Sequence, residues 1–317
     1  MNLIVTAIAG LHLAAGALAQ EFPTRPLRLV VGFSPGGGND SIGRVMAAKL
    51  GDRLGKQIVV DNRPGASGIV ASELVAASAP DGHTLMVVSV AHTANPSLMK
   101  LKYDTEKSFT PIAQLAAGSS ALVAHPGLGI GTVRELIGHA RTNPGKLHFA
   151  FAGNGTYQHM ASSEFLAMAG IEALLVPYKG GGPALIDVLA GHSHLLIVTL
   201  VNVATHVKAG KLRALATTGS KRLDNYPDLP TVSESGVPGY VSENWWGIVG
   251  PAGIPGPIVD KLATEIAAVQ DIRELRETLE KEGAWPVKRS GAAFGTLISG
   301  EIAKWAKVVK QGNIKLN

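Results

Sequence analysis

The chain has 317 residues, 46% of them hydrophobic and 17% charged, with 38 glycines and 18 prolines; this fits a loop-rich α/β protein of two domains or one large one and excludes a disordered, fibrous or small stapled chain. The 29 Lys and Arg exceed the 24 Asp and Glu by a net +5 without any basic block, and aromatics make up only 5%, so nucleic acid is not an expected partner while a small anionic ligand stays open. Cysteine is absent, which excludes disulfides, thiolate catalysis and Cys-ligated metal centres.

Residues 1–20 (MNLIVTAIAGLHLAAGALAQ) are uncharged and apolar and end in Ala17-Leu18-Ala19, the small-x-small pattern of a cleavage site, without a basic n-region. They read as a signal peptide; an anchor helix or a buried N-terminal helix are the alternatives. No later stretch reaches the ~18 uninterrupted apolar residues of a membrane span, so a soluble exported protein is expected. Leu27 to Phe33 predicts a strand, Ser34 to Gly38 a glycine turn, and Asn39 to about Leu54 a helix. A strand at Gln57–Val60, a helix at Ile69–Ala77 and strands at Thr84–Val88 and Ser120–Ala124 follow. The next series comprises helix Thr132–Arg141, strand His148–Phe151, helix Tyr157–Ala169, strand Leu175–Val176, helix Pro183–Ala190 and strands Leu195–Val198 and Leu212–Ala216. Such alternation predicts mostly parallel sheets. The polar, Pro- and Gly-rich stretch from Lys221 to Gly239 is expected to connect domains. A strand at Trp245–Val249 precedes a helical C-terminal part, with Asp271–Glu282 as a solvated helix face and a last helix over Gly291–Lys310.

Three glycine turns carry the chemical signal. In Phe33-Ser34-Pro35-Gly36-Gly37-Gly38-Asn39-Asp40, glycines between strand and helix expose backbone N–H groups that the helix dipole makes attractive to an anion; the plain alternative is a tight turn capped by Asn39 or Asp40. The spacing matches neither a dinucleotide fingerprint nor a P-loop. Gly153-Asn154-Gly155-Thr156 is a second turn, with Thr156 as N-cap. In the third, Tyr178-Lys179-Gly180-Gly181-Gly182-Pro183, Lys179 offers a cation and Pro183 a favoured helix start. His92, near Ser89 and Asn95, and His159, one turn into the helix after the second loop, are candidates for touching a carboxylate, with capping or solvent exposure as the alternatives. His192-x-His194 resembles half a metal site, but without a third ligand it reads as an incidental edge pair and no metal is expected. No Gly-x-Ser-x-Gly elbow is present, so nothing supports a hydrolase. Trp245 and Trp246 point to opposite faces of a strand, which fits core packing plus an interdomain contact, or one of the two lining a cleft.

In this order and spacing, FSPGGGND (33–40), DNRPGASG (61–68), PDGH (80–83), HTANP (92–96), YKGGGPA (178–184), HVKAGKLRALA (206–216) and GPAGIP (250–255) resemble the Bug family, extracytoplasmic solute receptors of the tripartite tricarboxylate transporter type. The resemblance implies a periplasmic binding protein-like (Venus flytrap) fold of two α/β domains joined by crossing strands. It divides the chain into a signal peptide (1–20), domain 1 (22–124 plus 240–317) and domain 2 (125–239). It implies a periplasmic, monomeric receptor and no enzyme, without cofactor, that captures a small carboxylate or dicarboxylate for membrane permease subunits; an orphan sensory receptor and an exported enzyme are the alternatives. Carried over residue by residue, it nominates Phe33, Ser34, Gly36, Gly37 and Asp40 from domain 1 with Asn154, Gly155, Thr156 and His159 from domain 2. Ser89, His92, Lys179, Gly180 and Thr199 complete the expected ligand-binding set. Asp40 is expected to organise a water or to meet a ligand amino group, with helix capping as the alternative. The family usually carries charged or amide residues in the strand-to-loop segment after the YKGGGPA helix, often an Asp at the position of Val198, so with His194, Val198 and Thr199 the distal pocket is expected to be less polar than usual.

Overall fold

The computed structural model describes residues 22–312 and 314; the expected signal peptide, residues 1–20, lies outside them. In the first half, β1 (Leu27–Val31) leads into α1 (Gly38–Leu54), followed by β2 (Ile58–Asn62), α2 (Ile69–Ala76), β3 (Thr84–Ser89), α3 (Val90–Leu98) and the long β4 (Phe109–Gly118). The chain continues through β5 (Ala121–Ala124), α4 (Val133–Thr142), β6 (His148–Phe151), α5 (Tyr157–Ala169), β7 (Leu174–Pro177), α6 (Gly181–Leu189), β8 (Leu195–Val198), α7 (Leu200–Lys208) and β9 (Arg213–Thr217). It closes with β10 (Asn244–Pro251), α8 (Gly256–Val269), α9 (Arg273–Lys281), β11 (Ala284–Ser290) and α10 (Gly291–Gln311). No helix among the described residues is long and apolar enough to cross a membrane.

Two sheets form, one per lobe. The first has the order β11-β4-β10-β3-β1-β2 and the second β7-β6-β8-β5-β9. Neither is mostly parallel, which corrects the expectation from alternation. β2, β1 and β3 run parallel, but β10 is antiparallel to β3 and to β4; in the second sheet β5 opposes both β8 and β9. The reason is topological: β4 carries the chain out of the first lobe and β10 brings it back beside β4, so the two must run in opposite directions. The chain leaves the first sheet after Gly118 and joins the second at Ala121, so β5 belongs to the second lobe, earlier than a division at residue 124 expects. At the crossing, Thr218 N–H donates to Ser120 O (2.8 Å) and Ser242 N–H to Thr218 O (2.8 Å), tying the outgoing and returning segments together.

The polar stretch 221–239 does not bridge the lobes as expected; it folds onto the second sheet. Thr217 and Thr231 form a bridge, Val232, Val237 and Tyr240 are buried, and Tyr240 OH donates to Ala161 O (3.1 Å). One apolar cluster runs through both lobes, from Val30 and Phe109 to Phe149, Phe165 and the α10 side chains Phe294, Ile298 and Trp305. Each fully buried side chain of this kind contributes roughly 1.5–3 kcal/mol, so α10 holds the rear of the two lobes together. Trp245 joins this shared cluster and Trp246 the one on the opposite face of the first sheet, as strand alternation requires. The indoles of Trp245 and Trp305 both donate to Glu301 Oε2 (3.2 and 3.0 Å).

Candidate functional site

Opposite this shared core, the lobes face each other across a cavity of about 580 Å³. Five helices start at its wall. Gly37, Gly38 and Asn39 open α1, Ser89 precedes α3, Thr156, Tyr157 and Gln158 open α5, Gly180, Gly181 and Gly182 open α6, and Thr199 precedes α7. The first N–H groups of a helix have no intrahelical acceptor. In α5 the Thr156 hydroxyl caps one, accepting from His159 N–H (3.4 Å). No side chain caps α1, α3, α6 or α7, and the Gly38 and Asn39 amides have no acceptor among the described residues. Glycine is required at Gly180, whose φ of +112° is costly for any side chain. The five dipoles therefore direct partial positive charge at one space, and among the described residues no Lys, Arg or His lines it.

Phe33, Gly36, Gly37, Ser89, Thr156, Gly180 and Thr199 of the predicted set line the cavity; Ser34, Asp40, His92, Asn154, Gly155, His159 and Lys179 do not. The absentees have identifiable places. Asp40 is buried behind the first turn, where Oδ2 accepts from Gly36 N–H (3.0 Å) and Arg44 Nε (2.9 Å) and Oδ1 from Asn62 Nδ2 (2.8 Å). Burial by itself would raise its pKa, but the hydrogen bonds from Arg44, Gly36 and Asn62 outweigh it and hold the carboxyl below the usual aspartate value. Its role in the structure is to fasten the glycine turn from behind. His159 does the same for the second turn: Nδ1 accepts from Gly155 N–H (3.1 Å) while the ring stacks on Phe151 at 4.5 Å, and burial lowers its pKa to about 4. The bond at Nδ1 places the proton of the neutral ring on Nε2.

His92 lies edge-on to Phe109 (4.9 Å), fully enclosed, with its pKa lowered to about 4 by burial; it borders a separate small void behind Ser89. Asn154 and Gly155 touch the first lobe instead of the cavity. Ser67 Oγ donates to Asn154 O at 2.5 Å, and a Cβ on Gly155 would stand 3.3 Å from both Asn95 Oδ1 and Ser67 Oγ. Ser34 and Lys179 are exposed outside the cavity wall. His194 Nδ1 accepts from His148 N–H (2.9 Å) and His192 pairs with Asp187 (3.3 Å); among the described residues no group of three potential metal ligands gathers.

The cavity also holds residues outside the expected ligand-binding set. Val198 lies at the wall with Leu185, and Asn202, Asn244 and Glu282 stand there too, so polarity enters the cavity from other elements. Glu282, read from sequence as the end of a solvated face, follows the last residue of α9 and turns its carboxylate into the cleft, with Oε2 2.9 Å from where a Cβ of Gly38 would sit. Burial raises its pKa. Trp246 lines the wall as well, and its buried Nε1 has no hydrogen-bond partner among the described residues. The only sequence signal for that indole was strand alternation, and for Glu282 there was none.

The family model described as tripartite tricarboxylate transporter family receptor matches residues 42–314. Protein BugT of Bordetella pertussis is 33% identical over 312 residues, covering 98% of this chain and 96% of that protein. Among solved structures, Rpa4515 of R. palustris with adipate is 35% identical with a TM-score of 0.83, covering 93% of this chain and 99% of that one. The periplasmic binding protein BugD is 30% identical with a TM-score of 0.80, covering 93% and 99%. The fold is accordingly that of periplasmic binding proteins, two α/β lobes about a cleft in the Venus flytrap arrangement.

Proposed function

The chain belongs to the tripartite tricarboxylate transporter receptor family, in which the Bug proteins fall, a family of receptors and not of enzymes; from that premise we propose that it is a periplasmic receptor for a small organic anion, a carboxylate or dicarboxylate. The observation that carries the proposal is the convergence of five helix N-termini, four of them without a side-chain cap, on one cavity with no basic residue among the described residues of its wall. A carboxylate entering the cleft is held by main-chain amides already oriented by the glycine turns, and closure around it removes the water that would otherwise screen them. Hydrogen bonds to a charged group contribute about 1.5–3 kcal/mol each; a few of them, less the cost of ordering the lobes, reach the ~8 kcal/mol of a micromolar complex.

In this reading the ligand meets Gly37, Gly38, Thr156, Gly180 and Thr199, while Asp40 and His159 keep the first two turns in shape. The chain is exported through the 1–20 signal peptide, acts as a monomer, and hands its ligand to membrane permease subunits of a tripartite tricarboxylate transporter. The adipate of the R. palustris relative supports the ligand class. Calorimetry of the purified receptor against a panel of mono- and dicarboxylates tests it: reversible one-to-one binding without ligand turnover is expected, and no binding anywhere in the panel refutes it. Loss of uptake of the same ligand in a strain lacking this gene tests the transporter partnership; unchanged uptake refutes it.

A further inference from the structure

Among the described residues, Glu282 is the only Asp, Glu, Lys, Arg or His in the wall of the cleft. Its carboxylate lies against the first turn of α1 and beside the Trp246 ring, since a Cβ at Gly38 would meet Glu282 Oε2 at 2.9 Å and Trp246 Cζ2 at 3.6 Å. Among the described residues that carboxylate accepts no hydrogen bond and has no ion pair; the side-chain bond that reaches this residue goes to its backbone oxygen, from Thr199 Oγ1 of the other lobe (3.4 Å). The α1 terminus, otherwise an obvious seat for an anion, thus already faces one.

We infer that Glu282 makes the receptor select carboxylates whose second polar group is a nitrogen donor, an ammonium or a carboxamide N–H, over dicarboxylates. The inference rests on the carboxylate reading above. Two carboxylates at contact distance in a water-poor cleft repel more strongly than in water, and among the described residues no Lys, Arg or His in the cleft wall offsets them. A ligand nitrogen reverses the sign of that contact and supplies the partner that Glu282 lacks, while the ligand carboxylate takes the amides at the starts of α5, α6 and α7. Burial already disfavours the charged form of Glu282, so a donor placed there relieves an existing cost. Because Glu282 also accepts from Thr199 across the cleft, the nitrogen would be gripped where the lobes meet.

Calorimetry at neutral pH of succinate, glutarate and adipate, each against the ω-amino acid and the monoamide of the same chain length, decides the matter in the wild type and in Glu282→Gln, with Glu282→Ala as a second charge-removing variant should the first not fold. The wild type is expected to bind the better nitrogen-bearing partner at least ~10-fold more tightly than its dicarboxylate, and Glu282→Gln to lose that preference by ~10-fold, chiefly by gaining dicarboxylate affinity. A dicarboxylate bound as tightly as both nitrogen-bearing counterparts overturns the inference and leaves the carboxylate receptor standing. So does selectivity unchanged by the substitution, or dicarboxylate binding with uptake of one proton, which would show Glu282 neutralised. Failure of every compound to bind overturns both.

Discussion

Replacing Asp40 by asparagine separates a carboxylate that fastens a turn from one that meets a ligand. The change keeps the side chain's shape, but one of its two arms becomes an NH₂ that can only donate, whereas all three neighbours of Asp40, the Gly36 amide, the Arg44 guanidinium and the Asn62 amide, are donors. With the oxygen turned to Asn62, Gly36 N–H faces another donor; turned the other way, Asn62 does. The lost backbone bond to a charged acceptor costs about 1.5–3 kcal/mol. The Arg44 arm adds little, since Arg44 is half exposed and solvent screens the pair. A destabilisation of about 2–3 kcal/mol is expected, read as a shift of the urea midpoint at neutral pH, together with weaker ligand binding because the α1 turn is no longer held. Since the folded pKa of Asp40 lies below its ordinary value of 3.8, this contribution is complete above that value and fades as pH falls through the folded pKa. The difference between wild type and variant should therefore shrink in acid. A variant as stable as the wild type at neutral pH, or a difference that stays constant in acid, would refute the buttress.

The remaining expectations concern other parts of the cleft and its supports. Gly155→Ala places a Cβ at φ +74° and 3.3 Å from Asn95 Oδ1 and Ser67 Oγ, so a loss of about 1–2 kcal/mol and a more open lobe arrangement in X-ray scattering are expected; an unchanged scattering profile would count against Gly155 as a lobe contact. His92 and His159 are both neutral in the fold with pKa values lowered from 6.5 to about 4; between those values the unfolded chain binds protons the folded one does not, so stability falls as pH drops from about 6.5 towards 4, by a few kcal/mol in all. His159→Phe should flatten that slope, and a slope identical to the wild type's would refute the assignment. Trp246→Phe removes an indole N–H that has no partner among the described residues and also shrinks a buried side chain, so a stability loss of about 1–2 kcal/mol is expected together with weaker ligand binding; unchanged affinity would show that the N–H does not face the ligand.

Much of the local structure was legible because it depends on near neighbours. A β-rich run, a glycine cluster and a capped helical stretch specify strand, turn and helix within a few residues. The predicted helix over Tyr157–Ala169 and the strand over Leu195–Val198 therefore coincide with α5 and β8. The family resemblance was equally local, resting on the turns themselves. Elements without such punctuation escaped: α3 follows β3 with no glycine between them and carries Pro96 inside it, and β11, AWPVKRS, lacks apolar alternation because it pairs at a sheet edge. Strand direction in the two sheets, and which side of a turn faces the cleft, were settled only by how distant segments meet. Asp40 and Glu282 show the physical reason. Both are single carboxylates beside the same helix start, but the side chains that turn one into a buttress and leave the other facing the cavity arrive from β2, β10 and the far end of α9, and sequence order carries no record of those distances.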